Sequence, residues 1–260
     1  MSRPLAKKEL GQHFLVDENI LGVIGRLAEL SGDDVVLEIG PGLGVLTEYL
    51  GDRVGHVHAI ELDRTLQDRL DQRLGERDNV DLVYGDALQL DLAVLEPAPG
   101  KLVANLPYNV ATPLVVESLY GVPTLRLWCV MVQREVADRF FAAPSTKAYG
   151  AVSVLVQLAA ERTGFHPVAR TVFRPRPKVD SALVAFRRKP NPVPDSARVK
   201  EVVAAAFAHR RKRLANSLEL SGLASRAQAA VALEAIGRDP GARAEELVPP
   251  AFVELAEALR

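Results

Sequence analysis

Short apolar segments rich in β-branched residues alternate with segments of helical periodicity through the first half of this 260-residue chain. Five of them are predicted to be strands, at 35–39, 57–61, 81–84, 101–104 and 125–132. Predicted helices are marked by Asp17 as an N-cap, by Leu66, Leu70 and Leu74, and by Thr112-Pro113 as N-cap and first helical residue. This order predicts an α/β fold, with a mostly parallel sheet covered by helices on both faces and ligands bound beyond the carboxyl ends of the strands.

Two extended segments follow the alternating region. They cover residues 164–168 and 181–188, and the run 173–177 between them contains two prolines that stiffen the backbone. Segments on either side of such a connection are predicted to form an antiparallel hairpin at the edge of the sheet. With this hairpin the first domain is expected to span residues 1–189.

The last part of the chain has a different character. Three prolines between Pro190 and Pro194 predict a linker, and helical periodicity begins at Ser196. Breaks interrupt this periodicity at Gly222, Gly237 and Pro240-Gly241. The pattern predicts a small, all-helical second domain over residues 195–260, without internal repeats.

Composition excludes several classes of protein. Hydrophobic residues make up 48% and charged residues 25% of the chain, which argues against a disordered or collagen-like protein. Cys129 is the single cysteine, so a disulfide framework and a cysteine metal cluster are excluded. No apolar stretch approaches the length of a membrane span, and no export signal is visible near Met1. We expect a cytoplasmic protein without a membrane partner.

Charge is distributed unevenly along the chain. The formal net charge is −1, but fourteen Lys or Arg and only four Asp or Glu lie between Glu161 and Leu218, which gives this segment +10 and the remainder −11. A segment of this charge can attract a polyanion toward a site held elsewhere on the molecule. A solvated basic surface balanced by acidic helices is the alternative interpretation.

A glycine-rich turn follows the predicted strand 35–39. Its sequence is Glu38-Ile39-Gly40-Pro41-Gly42-Leu43-Gly44, in which a glycine at every second position permits a sharp turn and close approach of the backbone to a ligand. Val45 occupies the position at which dinucleotide enzymes have their last glycine, and no Gly-Lys-Ser/Thr follows. The turn therefore indicates a nucleotide-like ligand while disfavouring NAD and P-loop chemistry. The alternative that this turn is only a tight strand-to-helix connection, without a ligand, stays open.

Acidic residues follow at the ends of the next two strands. Glu61, seventeen residues after Gly44, can accept hydrogen bonds from both hydroxyls of a ribose, and Asp86 can accept one from the exocyclic amine of adenine. For each residue alone, a solvated Glu and an ordinary Asp N-cap are the alternatives. Together with the glycine-rich turn they describe a nucleoside pocket without a basic group for a phosphate. Such a pocket suits S-adenosylmethionine better than NAD.

The fourth strand ends in Asn105-Leu106-Pro107-Tyr108-Asn109. Pro107 fixes its own φ and biases Leu106 away from helix, so that the Asn105 side chain and the neighbouring carbonyl can present two acceptors side by side. Two acceptors at the N–H groups of an aromatic amine favour a pyramidal nitrogen whose lone pair can attack a sulfonium methyl group. Tyr108 can stack on the base and stabilise the developing positive charge. A capped turn with a buried Tyr is the alternative.

Together these motifs resemble the S-adenosylmethionine-dependent ribosomal RNA adenine N6-dimethyltransferases, in particular the small-subunit enzymes that modify two adjacent adenosines near the 3′ end of 16S rRNA. The resemblance covers nearly the whole chain and is carried by the segments 10–15, 37–44, 85–87, 105–109, 172–181 and 207–214. Asn-Leu-Pro-Tyr at 105–108 and Phe-x-Pro-x-Pro-x-Val-Asp-Ser at 173–181 are the most specific motifs. The resemblance implies a Rossmann-like methyltransferase sheet followed by a helical C-terminal domain.

The resemblance also implies roles for individual residues. S-adenosylmethionine would be bound by residues of the N-terminal segment and the strand ends, namely Gln12, His13, Leu15, Gly40, Gly42, Glu61, Asp86 and Asn105. The residues implied to contact the target adenine are Asn105, Leu106, Pro107, Tyr108 and Phe173, with the two rings on either side of the flipped base. Many relatives have Asn in place of His13. Because both side chains can donate a hydrogen bond, cofactor binding is expected to survive this departure.

The uneven charge fits the same resemblance. Basic residues implied to contact RNA phosphates are Arg174, Arg176, Lys178, Arg210, Arg211, Lys212 and Arg213, the last four on successive faces of a helix. The implied activity is dimethylation of two adjacent adenosines in the 3′-terminal hairpin loop of 16S rRNA by a monomer, during assembly of the small ribosomal subunit. Two alternatives stay open: a 23S rRNA adenine N6-methyltransferase of the macrolide-resistance type, and a ribosome-assembly factor that acts mainly by binding. A small-molecule methyltransferase would have no use for the basic segment.

No metal site is expected from the sequence. His56, His58, His166 and His209 lack the partner spacing of a ligand set, and a single cysteine cannot supply a thiolate cluster. The implied methyl transfer needs neither a metal nor a covalent intermediate. These histidines are therefore assigned no chemistry, and Cys129 is predicted to be a core residue.

Overall fold

A computed structural model describes residues 12–75 and 77–260. Leu10-Gly11, part of one motif, and the basic residues Arg3, Lys7 and Lys8 lie outside the described residues. The strands are β1 (Phe14–Leu15), β2 (Val35–Ile39), β3 (His56–Glu61), β4 (Val80–Tyr84), β5 (Lys101–Asn105), β6 (Leu127–Gln133), β7 (Ala160–Val168), β8 (Phe173–Arg174) and β9 (Ser181–Arg188). The α-helices are α1 (Glu18–Leu27), α2 (Val45–Gly51), α3 (Gln67–Leu74), α4 (Ala111–Gly121), α5 (Arg134–Phe140), α6 (Ala151–Ala159), α7 (Ser196–Ala208), α8 (Leu214–Leu220), α9 (Arg226–Ala235) and α10 (Pro249–Ala258). None of these described helices has the length and apolar composition that crossing a bilayer requires.

Seven strands form one sheet in the order β4-β3-β2-β5-β6-β9-β7. The strands from β4 to β6 run parallel to their neighbours, and β9 is antiparallel to β6. From β2 the chain proceeds to one side through β3 and β4, and then to the other side through β5 and β6. The switch point therefore lies between β2 and β5, at the edge where ligands bind in sheets of this kind.

The sheet is buried on both faces, as expected for parallel strands flanked by helices. Val36 and Leu37 are adjacent along β2, so their side chains point to opposite faces, and both are fully buried. Ile24 of α1 and Leu50 of α2 join the core cluster on the Val36 face. Cys129 is buried in the same cluster, which confirms its prediction as a core residue. The α/β fold predicted from the alternating pattern is confirmed.

The five strands predicted in the alternating region are present, with ends displaced by at most two residues. The extended segment predicted over 164–168 is part of β7, which begins four residues earlier at Ala160 and forms the edge of the sheet beside β9 as expected. Asp17 caps α1 by accepting a hydrogen bond from the Asn19 amide. The predicted start of the next helix at Thr112-Pro113 is wrong, because Val110 is the N-cap and its carbonyl already accepts a bond from Leu114. Pro113 then lies in the first turn of the helix. Backbone N–H groups have no intrahelical acceptor there, so the lack of an N–H in proline costs no hydrogen bond.

The chain divides into two compact units. The first contains the described residues up to Ala137 together with Arg162–Arg188, and the second contains Asp138–Glu161 and Lys189–Arg260. The second unit holds the C-terminal helices expected over 195–260, but it also includes the segment 138–161, which the expected bounds place in the first domain. This difference arises because α6 packs on α7 and α10. No proline-rich or polar run announces that insertion in the sequence.

Candidate active site

The carboxyl ends of β2, β3 and β5 line a cleft of about 840 Å³, measured to its open mouth. The position of the cleft matches that of ligand sites in α/β proteins. Ten of the predicted site residues line this cleft: Gln12, His13, Leu15, Gly40, Gly42, Glu61, Asn105, Leu106, Pro107 and Tyr108. The sheet therefore brings together residues that are up to 96 positions apart in the chain.

Two of the predicted site residues do not line the cleft. Asp86 is exposed, and its carboxylate accepts a hydrogen bond from the Leu88 amide at 2.9 Å, which is the capping role left open by the sequence. Phe173 is 1% exposed and belongs to the core cluster, where β8 pairs with β1 through Leu15 and Phe173. Recognition of adenine by Asp86 and stacking of a base on Phe173 thus stay predictions.

The glycine-rich turn adopts left-handed backbone conformations at Gly40, Gly42 and Gly44, with φ of +76°, +60° and +75°. L-residues with a Cβ rarely adopt these angles, which explains the choice of glycine at every second position. At Gly42 a Cβ would also lie 3.0 Å from Phe14 Cδ1. The turn can therefore keep its backbone N–H groups close to a ligand only without side chains.

Glu61 ties the end of β3 to this turn. Its Oε2 accepts a hydrogen bond from the Gly42 amide at 3.0 Å, and its Oε1 accepts one from the Asp63 amide at 2.8 Å. The side chain is buried, and burial raises its pKa. Asp63 in turn accepts a hydrogen bond from the side chain of Gln12 at 2.9 Å. Each carboxylate oxygen has two lone pairs, so Glu61 can hold the turn and still accept from a ligand hydroxyl.

Asn105 is oriented by the N-terminal segment. Its Nδ2 donates to the His13 carbonyl at 3.0 Å, which leaves Oδ1 as the acceptor at the cleft. The following amide, of Leu106, donates to the Met131 carbonyl at 3.1 Å and anchors the turn to β6. The predicted pair of acceptors, namely the Asn105 side chain and the neighbouring carbonyl, stays a prediction.

The rings of Tyr108 and His13 line the cleft beside Asn105. The hydroxyl of Tyr108 is hydrogen bonded to Ser181 Oγ at 2.5 Å, and burial raises the pKa of the phenol, which keeps the ring neutral. The ring of His13 lies 5.1 Å from that of Tyr108. Its Nδ1 lies 2.7 Å from the Pro175 carbonyl and must carry the proton, since a carbonyl only accepts. His13 is therefore held by both its ring and its backbone.

Glu38 is a cleft residue that the sequence reasoning missed. It is 1% exposed, lines the cleft from within β2, and its pKa is raised to about 8 by burial. Among the described residues, neither its Oε2 nor the nearby Thr47 Oγ1 has a hydrogen-bond partner. The sequence signal was a single acidic residue inside an otherwise apolar strand. A buried acid with an unsatisfied oxygen is suited to a ligand that carries positive charge.

Replacing Glu38 by Gln should make the free protein more stable at pH 8 and leave its stability unchanged near pH 4.5. The folded state keeps Glu38 protonated up to about pH 8, whereas the unfolded chain releases this proton near its ordinary value of 4.5. Wild-type stability therefore falls as the pH rises through this window, and Gln removes that loss. Thermal unfolding from pH 4.5 to 8.5 measures the difference, with Glu234→Gln at an exposed position of α9 as control. Parallel curves for wild type and Glu38→Gln would contradict the raised pKa.

The basic residues predicted to contact RNA are all exposed. Arg174, Arg176 and Lys178 belong to the first unit, and Arg210 to Arg213 belong to the second. The prediction of a helix for the second group is wrong, because these residues form the turn between α7 and α8. The helix is interrupted since the Leu214 amide bonds to the Ala242 carbonyl at 2.9 Å. The four cationic side chains therefore lie on the turn that connects α7 to α8.

Sequence comparison identifies relatives over almost the whole chain. The family model described as ribosomal RNA adenine dimethylase matches residues 4–247. A Rubrobacter xylanophilus protein named ribosomal RNA small subunit methyltransferase A is 48% identical over 252 residues, which cover 97% of this chain and 94% of the relative. A Lactiplantibacillus plantarum protein of the same name is 45% identical over 267 residues, with coverage of 97% and 90%. These matches extend over both the sheet and the C-terminal helices.

Solved structures agree with the sequence comparison. A dimethyladenosine transferase from Plasmodium falciparum has the same fold, with a TM-score of 0.75 at 24% identity and coverage of 94% of this chain and 96% of that one. The 23S rRNA methyltransferase ErmE has a TM-score of 0.66 at 30% identity, with coverage of 95% and 99%. On the matched family model and the identity to these relatives, the chain belongs to the ribosomal RNA adenine dimethylase family.

Proposed function

We propose that this protein transfers methyl groups from S-adenosylmethionine to N6 of two adjacent adenosines in the 3′-terminal hairpin loop of 16S rRNA. It would act as a cytoplasmic monomer on the small ribosomal subunit or its precursor. The observation that carries this proposal is the acceptor Oδ1 of Asn105, held at a nucleoside-sized cleft by the His13 carbonyl. The relatives named small subunit methyltransferase A support the choice of the 16S substrate.

The polar groups of the cleft fit S-adenosylmethionine. Glu61 offers carboxylate oxygens to ribose hydroxyls, and the turn at Gly40 and Gly42 admits a ligand close to the backbone. The unsatisfied Oε2 of Glu38 can accept a hydrogen bond from the methionine part, whose positive charge would favour the ionised carboxylate over the protonated form held in the free protein. When bound, this cofactor supplies an electrophilic methyl group on a positively charged sulfur. Gln12, His13 and Leu15 would complete the wall of the cleft. Asp86, outside the lining residues, would contact the adenine.

Asn105 and Leu106 orient the target amine. Asn105 Oδ1 and the Leu106 carbonyl accept hydrogen bonds from the two N–H groups of the target amine. These hydrogen bonds direct the nitrogen lone pair away from the base and into the cleft. After one methylation the amine retains one N–H, so one acceptor still orients it for a second transfer. The neutral ring of Tyr108 offers its face to the base and to the positive charge that develops on it. Pro107 keeps these groups in place by fixing the backbone.

The experiment that tests this function is methyl transfer from labelled S-adenosylmethionine to unmethylated small ribosomal subunits. Large subunits and naked 16S rRNA are assayed in parallel, and the products are analysed as nucleosides. Dimethyladenosine confined to small-subunit material is the expected result. Labelling of 23S rRNA would instead assign the chain to the activity named for ErmE, which shares its fold at 30% identity. Binding without labelling would favour an assembly factor.

Substitutions in the exposed turn should weaken RNA binding without affecting cofactor affinity. Arg210 is left in place because its guanidinium donates to the carbonyls of Lys147 and Tyr149 within the second unit. Replacing Arg211, Lys212 and Arg213 by Ser or Gln should lower the slope of log affinity against log salt by about 2, since each phosphate contact contributes roughly 0.7 to 0.9. Binding titrations at several salt concentrations measure this.

The matched control for the turn replaces two exposed arginines elsewhere in the second unit, Arg226 and Arg238, by Ser. This control variant removes two positive charges against three in the turn variant, and it should keep nearly the wild-type salt slope because the charges lie elsewhere in the unit. Equal loss of RNA and cofactor affinity in the turn variant would contradict separate binding roles. An unchanged salt slope would remove the turn from the RNA contact surface.

A further inference from the structure

A second group of chemistry-bearing side chains lies at the opposite end of β3. The strand begins at His56 and ends at Glu61 of the cleft, so the two ends are about 16 Å apart at roughly 3.3 Å per residue. His56 and His58 are two residues apart and therefore project from the same face of the strand. Asp81 of β4 is the register partner of His58. Pairing of the two parallel strands thus brings a carboxylate to two imidazoles.

The potential ligand atoms of these three side chains converge. Asp81 Oδ2 lies 3.0 Å from His56 Nε2 and 3.5 Å from His58 Nδ1. All three ligand atoms lie within 4.8 Å of one another. Bonds of about 2.0–2.2 Å to a tetrahedral metal ion would separate its ligand atoms by roughly 3.3–3.5 Å. The observed spacing is thus close to that of a coordination site and needs only small side-chain rotations.

The hydrogen bonding of His58 argues for a cation between these groups. Its Nε2 lies 2.8 Å from the Pro97 carbonyl, which can only accept, so Nε2 carries a proton. In the neutral ring, Nδ1 is then an acceptor, yet it faces the carboxylate oxygen of Asp81, a second acceptor. This ring is 2% exposed, so water has little access to it. A cation placed between the two acceptors resolves the opposition.

A carbonyl that fixes the far nitrogen of an imidazole is also the usual outer partner of a metal-binding histidine, because it sets the tautomer and the ring orientation. His58 has this arrangement with Pro97. His56 adds a second imidazole nitrogen at the same carboxylate oxygen, at only 3.0 Å. A single metal ion would bind His56 Nε2, His58 Nδ1 and Asp81 Oδ2 together.

We propose that His56 Nε2, His58 Nδ1 and Asp81 Oδ2 bind a divalent transition-metal ion, with Zn²⁺ as the ion that two imidazoles and one carboxylate suit best. The side chain of Asp81 is 54% exposed, so water can supply the fourth ligand from that side. The spacing of the histidines in the sequence indicates no ligand set, because it does not show that the pairing of β3 with β4 places Asp81 beside them. The site joins β3 to β4, and through Pro97 to the segment before β5, so its role is to stabilise the sheet.

Titration of the full-length protein with ZnCl₂ after chelator treatment and dialysis tests this proposal. Calorimetry should detect one high-affinity ion per chain. Free Zn²⁺ at about a hundred times Kd should raise Tm by roughly 5 °C, since the ion binds only the folded state. Co²⁺ in place of Zn²⁺ should give visible absorption typical of a tetrahedral nitrogen and oxygen site.

Asp81→Asn and His56→Gln should each weaken Zn²⁺ binding by at least about 100-fold and remove the Co²⁺ absorption. Asp81 is exposed, so its Asn variant should fold normally even if a variant of buried His58 did not. His209→Gln, which changes an exposed histidine outside the cluster, is the matched control and should bind like wild type. Absence of saturable binding, or binding that survives Asp81→Asn, would overturn the proposal. Methyl transfer serves as a separate readout and should persist in Asp81→Asn.

Discussion

Replacing Asn105 by Ala should lower kcat for methyl transfer by about 10²–10³-fold, the usual cost of deleting one preorganised polar group at a reacting centre. The substitution removes the Oδ1 acceptor that orients the target amine, and it also removes the Nδ2 bond to the His13 carbonyl. Asn105 is only partly buried, so truncation leaves no large core cavity. Circular dichroism and thermal unfolding should therefore resemble those of wild type, and single-turnover methyl transfer measures the loss.

Two further variants separate the possible roles of this side chain. Gln72→Ala changes an exposed amide on α3, outside the cleft, and should retain nearly full activity. Asn105→Asp keeps an acceptor but cannot donate to His13, so it should lose less activity than Asn105→Ala if the acceptor function dominates. Equal loss in both variants would mean that the bond to His13 is what matters.

The affinity for S-adenosylmethionine shows whether Asn105 orients the target amine or binds the cofactor. If it orients only the target amine, Asn105→Ala should bind S-adenosylmethionine within about threefold of wild type, because the loss then falls on the transition state. A parallel fall in cofactor affinity would place its main role in cofactor binding. Full activity in Asn105→Ala would disprove the proposed mechanism.

The parts of the site that the sequence predicted are those encoded by local pattern. Gly40 and Gly42 follow an apolar strand, and their positive φ explains both the motif and the turn. Glu61 and Asn105 end later strands, and parallel pairing places all strand ends at one edge of the sheet. The local pattern of apolar residues locates each strand end, and ligands of parallel sheets bind beyond the carboxyl ends of the strands. Together these two facts are sufficient to locate the cleft.

The parts that the sequence did not predict depend on tertiary contacts. Helical propensity favours a helix through Arg210 to Arg213, yet Leu214 bonds to Ala242 from a distant segment and interrupts it. Asp86 and Phe173 have residue types suited to the site, but one caps its own loop and the other fills the core. Similarly, no local signal joins Asp81 to His56 and His58, because only the strand register brings them together.

Replacing Glu61 by Ala should lower the affinity for S-adenosylmethionine by about 100-fold and also lower the Tm of the free protein. The affinity falls because hydrogen bonds from ribose hydroxyls to a charged acceptor contribute about 1.5–3 kcal/mol each. Stability falls because the amides of Gly42 and Asp63 lose the carboxylate oxygens that they bind at 3.0 and 2.8 Å. Calorimetric titration measures the first effect, and thermal unfolding without cofactor measures the second.

The two effects of Glu61→Ala have different origins, and Glu61→Gln distinguishes them. Gln retains a single oxygen, whose two lone pairs can accept from one amide and from a ribose hydroxyl, but its NH₂ group faces the second amide donor. Stability and affinity should therefore both fall, though by less than in the Ala variant. Glu48→Gln on α2 is the control and should keep wild-type affinity. If Tm falls in Glu61→Ala while cofactor affinity is unchanged, Glu61 only supports the glycine turn. If affinity falls without a loss of Tm, the bonds to Gly42 and Asp63 contribute little to the fold, and the carboxylate acts on the ligand directly.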